Sequence, residues 1–153
     1  QSYVPGDRAI QHMLADTIEA AGGDLSRTVF SHMDRTGQDL EQQLSLLRRG
    51  LTIEYDEFGY ESTNRAWDRS SVQDGVRVRD IARLADAGHL AQLTVAHDIS
   101  FKRMQIANGG WGFSHLLERV RDGFRWAGMG EREIETLFVD NPRRLLTFVA
   151  PRA

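Results

Sequence analysis

Three apolar segments of the chain are each followed by an ionisable residue. His32 comes after TVFS, Asp56 after LTIEY, and Asp98 after LTVAH. Imidazole and carboxylate side chains can transfer protons and can bind metal ions. If the apolar segments are buried strands, their carboxyl ends are where an α/β fold opens into a ligand crevice. The pattern therefore predicts a functional site built from the ends of successive strands.

Amphipathic helical segments alternate with these strands. The periodicity of the apolar residues predicts helices over residues 8–21, 40–47, 78–85, 116–124 and 134–138. Asp7 is the expected N-cap of the first helix, and Gly22 is expected to end it. Asn141 and Pro142 are the expected N-cap and first residue of a last helical turn.

The alternation of strands and helices predicts a parallel sheet with right-handed crossovers. Two architectures fit this order: an open doubly wound sheet, or part of a (β/α)8 barrel. A complete barrel needs about 250 residues, and the chain has 153, so the length favours the open sheet. The polar residues that follow successive strands favour the barrel, because a barrel assembles its active site at the carboxyl ends of its strands.

The composition excludes several classes of protein. Of the 153 residues, 41% are hydrophobic and 27% are charged, so we expect residues 1–153 to form a single globular domain. A formal net charge of -3 without a basic stripe argues against binding to nucleic acid. The lack of cysteine excludes disulfides and thiolate chemistry. No apolar run has the length of a membrane span, and we expect a soluble, cytoplasmic protein.

Five sequence blocks carry a resemblance that covers nearly the whole chain. They are, in order, VFSHMDR, LTIEYDEFG, LTVAHDISFKRM, NGGWGFSHLLERV and FVDNPRRLL. In this order and approximate spacing, the chain resembles the C-terminal half of the phosphotriesterase family of the amidohydrolase superfamily, which includes lactonases. The resemblance implies strands five to eight of a (β/α)8 barrel, with helices outside. It also implies a hydrolase whose metal-activated water cleaves an ester, lactone, amide or phosphotriester bond of a small molecule.

The resemblance assigns roles to the residues at the strand ends. His32 matches the metal-binding histidine after the sixth barrel strand. Asp98 matches the aspartate after the eighth strand, which binds metal and accepts a proton from the attacking water. One or two divalent ions, with zinc expected, are implied, and imidazole and carboxylate suit zinc. Asp56 matches an aspartate of the seventh strand, and with Trp111 of the NGGWG loop it is expected to contact the substrate. His97 is expected to face the opposite side of its strand and to be structural.

These residues also have structural interpretations. Asp98 could cap a following turn, Asp56 could lie at a solvated loop entrance, and Trp111 could belong to an ordinary turn. The sequence departs from the family pattern at two positions. Glu57 stands where phosphotriesterases proper carry a histidine, and Tyr3 stands where the family has a histidine ligand after its fifth strand.

The metal ligands that the family takes from its first and fourth strands have no counterpart in this sequence. The chain also begins at Gln1, within an expected strand end. We therefore expect an N-terminal half-barrel, on the same or another chain, to complete the site. An isolated half-barrel would expose sheet edges and apolar surface, so association, including a homo-oligomer, is expected. The alternative is a non-catalytic half-barrel that has lost its metal and serves binding or assembly.

Overall fold

The fold is built around one parallel sheet. The structure is a computed structural model, and it describes residues 7–36, 39–60 and 72–148 together with the backbone of residues 2 and 3. Four short strands pair in parallel in the order β1-β2-β3-β4. They are β1 (Ser2–Tyr3), β2 (Val29–Ser31), β3 (Thr52–Tyr55) and β4 (Leu93–Val95). The side chain of Tyr3, and with it the question of a fifth-strand ligand, lies outside the described residues.

Helices connect each strand to the next and continue after the last strand. The α-helices are α1 (Arg8–Ala20), α2 (Leu40–Leu47), α3 (Asp74–Leu84), α4 (Arg121–Trp126), α5 (Glu131–Glu135) and α6 (Asn141–Leu146). Each predicted helical segment is present. The strand order follows the chain without reversal, whereas a doubly wound sheet reverses its order at a switch point. The order of these strands is therefore that of a barrel.

The first helix shows how local sequence sets an element's ends. The Asp7 carboxylate accepts hydrogen bonds from the backbone nitrogens of Ala9, at 2.8 Å, and of Ile10, at 3.1 Å. These bonds satisfy two donors that the first turn of a helix leaves without partners. Gly22, with a φ of 80°, follows the last turn in the left-handed conformation that glycine adopts readily. Both predicted boundaries of this helix are confirmed.

One face of the sheet packs against the helices and forms the core. Phe30, Ile53 and Leu93, one from each of β2, β3 and β4, are fully buried. They belong to one apolar cluster with helical residues such as Ile81 and Phe124. Successive side chains of a strand point to opposite faces, so Glu54 and Thr94 lie on the other face. The apolar core of the described residues therefore lies on the face of Phe30, Ile53 and Leu93, and the polar residues that follow the strands lie at one edge of the sheet.

The chain's last helical segment differs from the prediction. Asn141 is the first residue of α6 and not its N-cap, and a π-helical turn over Thr136–Asp140 joins α5 to α6 without a break. Pro142 lacks a backbone N–H, and a wider turn before it removes the need for a regular helical bond at that point. The buried Asn141 amide instead donates to the carbonyl oxygens of Leu90 and Leu93, both at 2.8 Å. Asn141 therefore attaches α6 to the start of β4.

In the part of the chain that the structure describes, every helix is too short or too polar to cross a lipid bilayer.

The Asn141 contacts can be tested by truncation. We expect Asn141→Ala to lower the free energy of unfolding by about 1–3 kcal/mol, because the buried carbonyl oxygens of Leu90 and Leu93 lose their donor. Urea denaturation measures the change. Arg144→Ala is the control, since Arg144 donates to the Ala91 carbonyl oxygen at 2.6 Å from an exposed position, and its loss should cost less than about 0.5 kcal/mol. Equal losses in the two variants would contradict this role of Asn141.

Candidate active site at the strand ends

His32 and Asp56 meet at the carboxyl ends of β2 and β3. The His32 imidazole Nδ1 lies 2.8 Å from Asp56 Oδ1. The His32 backbone nitrogen also donates to the Asp56 carboxylate, at 3.1 Å to Oδ1 and 3.2 Å to Oδ2. His32 has a φ of 59°, a left-handed conformation uncommon for a residue with a side chain. The two contacts with Asp56 hold this backbone geometry.

This contact gives Asp56 a definite physical role. A carboxylate bound to one ring nitrogen fixes the orientation of a histidine whose other nitrogen binds a metal. Asp56 is 3% exposed, so it is enclosed rather than at a solvated loop entrance. The structure shows the contact of Asp56 with His32. Contact of Asp56 with a substrate stays a prediction.

Asp98 lies at the corresponding end of β4, three residues beyond the strand. Its φ is 45°, so it too adopts a left-handed conformation. The hydroxyl of Tyr60 lies 2.7 Å from the Asp98 carbonyl oxygen and 3.1 Å from its Oδ2. The side chain of Asp98 is exposed. Tyr60 was not predicted from the sequence as part of this site.

Negative charge accumulates where the strand ends meet. Burial, together with the charges of Asp34, Glu54 and Asp98, raises the pKa of Asp56 to about 8, although the backbone N–H of His32 acts in the opposite direction. Burial also raises the pKa of Glu54, and the charge of Asp98 adds to this effect. Carboxylates that raise one another's pKa would each be stabilised by a cation placed between them. The charge pattern therefore fits a cation site.

The donor atoms are of the type that a divalent metal takes, but their number is small. His32 offers an imidazole and Asp98 a carboxylate, which are both suitable zinc ligands. Among the residues that the structure describes, no group of three or more histidine, cysteine, aspartate or glutamate side chains is arranged to hold a metal ion. A closed metal site at these strand ends thus needs ligands beyond the described residues.

A network of buried ion pairs connects the loops that follow β2 and β3 to helix α3. Arg77 of α3 is fully buried, and its Nε donates to Asp34 Oδ2 at 2.7 Å. The same Asp34 oxygen accepts a hydrogen bond from the backbone nitrogen of Glu57 at 3.2 Å. Arg77 also pairs with Asp74 at 3.0 Å, and Arg35 pairs with Glu57. The loops after β2 and β3 are therefore both attached to the start of α3.

Gln43 of α2 supports the loop that carries His32. Its amide nitrogen donates to the Met33 carbonyl oxygen at 3.0 Å and to Thr36 Oγ1 at 2.7 Å. Its amide oxygen accepts a hydrogen bond from the Tyr55 hydroxyl at 2.6 Å. The leucine periodicity of α2 identified the helix but gave no sign that a glutamine between the leucines would be buried. The roles of Asp34 and Arg77 could not be recognised from the sequence either, since charged residues are rarely fully buried.

Trp111 packs beside Tyr60. Its ring centroid is 5.6 Å from that of Tyr60, and a Cβ built on Gly59 would lie 2.5 Å from the indole. Trp111 also lines a surface cavity of about 380 Å³ with Ile106 and Arg119. Its predicted contact with substrate is untested, and its observed neighbours include Gly59 and Tyr60 of the loop after β3. Trp111 is therefore more than a residue of an isolated turn.

His97 lies on the helix side, as expected from strand alternation. Its Nε2 accepts a hydrogen bond from the backbone nitrogen of Leu116 at 3.1 Å. The imidazole of His115 is nearby, with ring centroids 6.4 Å apart, and its Nε2 lies 2.7 Å from Asp74 Oδ2. These contacts join the segment after β4 to the helices.

Comparison with known proteins identifies the origin of this arrangement. The model of the phosphotriesterase family matches residues 8–146. The N-acetyltaurine hydrolase of Salmo salar is 36% identical over 133 residues, which are 86% of this chain and 38% of that protein. The N-acetyltaurine hydrolase of Mus musculus is 35% identical over the same length. The chain thus spans about two fifths of the length of these relatives.

Solved structures confirm the fold. A resiniferatoxin-binding protein from Rhodobacter sphaeroides superposes with a TM-score of 0.86 at 32% identity, over 94% of this chain and 40% of that one. The phosphotriesterase homology protein of Escherichia coli, complexed with phosphate in its active site, superposes with a TM-score of 0.82 at 23% identity, over 95% of this chain and 47% of that one. The predicted C-terminal half of a (β/α)8 barrel is confirmed, and the open doubly wound sheet was wrong.

The raised pKa of Asp56 makes a prediction about stability and pH. The ordinary pKa is 3.8 and the folded value is about 8, so between these values the folded chain keeps a proton that the unfolded chain releases. The stability of the folded state therefore falls as the pH rises through this window. Asn does not ionise, so we expect Asp56→Asn to remove this loss. As the pH rises, the free energy of unfolding of the variant should increase relative to that of the native chain by up to about 1.4 kcal/mol per pH unit.

Urea denaturation of both proteins between about pH 5 and pH 7 measures this effect. The exposed Asp86 provides a matched control, because Asp86→Asn makes the same chemical change at an exposed position. A constant difference between Asp56→Asn and the native chain across this range would contradict the raised pKa.

Proposed function

Because the chain belongs to the phosphotriesterase family, we propose that it forms the C-terminal half of a metal-dependent hydrolase that acts on a small molecule. The observation that carries the proposal is the contact between His32 and Asp56 at the same strand edge as Asp98. An imidazole oriented by a buried carboxylate next to a further carboxylate is suited to hold a cation and to move a proton. The names of the relatives, which are hydrolases, support the same class of reaction.

The proposal assigns roles to His32, Asp56 and Asp98. His32 and Asp98 would hold a divalent metal, with zinc the best match to their donor atoms and one or two ions bound. The metal would lower the pKa of a bound water and polarise the scissile bond. Asp56 fixes the His32 imidazole through Nδ1. Asp98 accepts the proton of the attacking water at its carboxylate and returns it to the leaving group.

The substrate that we propose first is a small N-acyl amino acid analogue of the N-acetyltaurine type. The relatives named N-acetyltaurine hydrolase are more than 30% identical over 86% of this chain. In that reaction the water oxygen bonds to the acyl carbon and becomes one oxygen of the new carboxylate. The amide C–N bond breaks, and the amine leaves with the proton that Asp98 returns. Esters, lactones and phosphotriesters are further substrates to test, and Asp56 and Trp111 are the residues proposed to contact them.

The proposal requires a second half-barrel. A cavity of about 310 Å³ lies between the sheet face of Val29, Glu54 and Thr94 and residues Pro142, Leu145 and Leu146 of α6. The apolar side chains of Leu146 and Phe148 at the end of α6 are 80% and 100% exposed. We propose that an N-terminal half-barrel, on the same or another chain, covers this face and supplies the missing ligands. Association of complete barrels into a homo-oligomer and a cytoplasmic location are parts of the same proposal.

A non-catalytic half-barrel is the second candidate. It is favoured by the small number of metal donors among the described residues. In that case the strand-end carboxylates would have no metal to neutralise them, and the chain would serve binding or assembly. The two candidates differ in metal content and in activity.

The test uses the complete barrel, in which this chain is joined to or mixed with its N-terminal half. We expect release of taurine from N-acetyltaurine, and we expect Asp98→Asn to lower kcat/KM by about 100-fold or more, because the group that accepts the proton is lost. Asp86→Asn is the control, and it should keep the native rate. Chromatographic detection of taurine measures both.

Metal content by mass spectrometry distinguishes the two candidate functions. A hydrolase should hold a divalent ion in stoichiometric amount and lose most of it in His32→Asn, whereas His89→Asn should retain it. His89 is the matched control because it precedes β4 and bonds to Gln92 at 2.8 Å, at the other end of the sheet. A complete barrel without metal and without hydrolysis of amides, esters or lactones would establish the non-catalytic candidate.

A further inference from the structure

We propose that Tyr60 is a positioning residue for Asp98. Its hydroxyl contacts the carbonyl oxygen and a carboxylate oxygen of Asp98 and so holds the carboxylate in place. The inference rests on the proposed function for its catalytic meaning, but the contact itself can be tested without any activity. Tyr60 lies in the loop after β3, and Asp98 lies in the loop after β4. The tyrosine therefore connects two strand ends that each carry a residue of the candidate site.

The hydroxyl of Tyr60 is well placed to donate to the Asp98 backbone. It lies 2.7 Å from the carbonyl oxygen and 3.1 Å from Oδ2 of the carboxylate. A phenol has one proton to donate, and both the carbonyl oxygen and the carboxylate oxygen of Asp98 lie within reach of it. The Ser100 side chain bonds to the same hydroxyl. Tyr60 is 3% exposed, so water competes little for this bond.

Asp98 needs such support because the sheet ends before it. The last backbone bond of this ladder runs from the Ala96 nitrogen to the Tyr55 carbonyl oxygen at 2.9 Å. Two residues later, Asp98 has a φ of 45°, a conformation that side chains disfavour. Such a conformation persists only where the surroundings hold it. The Tyr60 hydroxyl is a contact that can do so.

Tyr60 is itself held from three directions. Its backbone nitrogen donates to the Glu57 carbonyl oxygen at 3.1 Å. The preceding nitrogen, of Gly59, donates to Asp74 Oδ1 at 2.9 Å, which attaches the loop to the first turn of α3. The indole of Trp111 packs on the phenol ring with centroids 5.6 Å apart. The backbone bonds fix the loop and the indole packs against the phenol ring, so the Tyr60 hydroxyl has a defined position beside Asp98.

The geometry also explains the glycine at position 59. A Cβ there would lie 2.5 Å from the Trp111 ring, and the residue has a φ of 90°. Only glycine satisfies both conditions without displacement of the ring. Gly59 and Tyr60 therefore pack closely against the Trp111 ring. Tyr60 in turn contacts Asp98.

The test compares two tyrosine variants of the same chain. Tyr60→Phe removes the hydroxyl beside Asp98, whereas Tyr55→Phe removes the hydroxyl that bonds to Gln43 at 2.6 Å on the helix side of the sheet. NMR of the isotope-labelled chain reports the backbone conformation of Asp98 through its coupling constant and carbon shifts. We expect Tyr60→Phe to move these signals toward values for an extended residue and Tyr55→Phe to leave them unchanged.

A second variant tests the same contact if Tyr60→Phe does not fold. Trp111→Leu keeps the phenol but removes the ring packed on it, and it should shift the Asp98 signals in the same direction by a smaller amount. Circular dichroism establishes that each variant is folded. Asp98 signals in Tyr60→Phe and Trp111→Leu that match those of Tyr55→Phe would overturn the proposal.

Kinetics of the complete barrel add a readout of catalysis. A shift of about 1 Å in a reacting group can lower the rate by up to about 100-fold, so Tyr60→Phe should lower kcat by about 10-fold or more with little change in KM. Native kcat in Tyr60→Phe would overturn the positioning role. Inactivity of the native barrel toward every substrate would count against the proposed function alone, because the NMR comparison would still decide where Tyr60 holds Asp98.

Discussion

The ion pair between Asp34 and Arg77 is the interaction on which the arrangement of the strand ends depends. Both side chains are buried, and Arg77 Nε lies 2.7 Å from Asp34 Oδ2. A buried charge that loses its partner costs about 3–5 kcal/mol, although Arg77 would keep its contact with Asp74 if Asp34 were removed. Asp34 follows β2, Arg77 belongs to α3, and the same carboxylate binds the backbone of Glu57 after β3. One pair thus fixes two strand ends relative to one helix.

The site follows from this constraint. With both loops held, Asp56 meets the His32 imidazole at 2.8 Å, and its pKa rises to about 8 because burial and neighbouring carboxylates disfavour its charge. The carboxylates at these strand ends repel one another, and a bound cation would reduce this repulsion. Among the described residues, no group of three or more ligand-type side chains is arranged to hold such a cation, so further ligands would be needed. The proposed second half-barrel is consistent with the length of the relatives, of which this chain spans about two fifths.

Periodicity and residue type predicted the elements of the fold, because helix faces and buried strands repeat in sequence. The capped helix after Asp7 and the encounter of strand-end residues such as His32 and Asp56 could be anticipated in this way. The buried polar contacts could not. Gln43, Arg77 and Tyr60 are recognised only through partners far away in sequence, and Asn141 bonds to carbonyl oxygens near β4 instead of capping its helix. Local patterns carry no record of such pairings, which tertiary packing selects.

The proposed metal site can be tested by anomalous diffraction at the zinc absorption edge, from crystals of the complete barrel grown with zinc. We expect a peak at about 2.0–2.2 Å from an imidazole nitrogen of His32 and a carboxylate oxygen of Asp98. We also expect Asp56 to stay bound to His32 Nδ1 rather than to the metal. A complete barrel with no peak at these strand ends, or with the metal held by residues that exclude both His32 and Asp98, would contradict the proposed site.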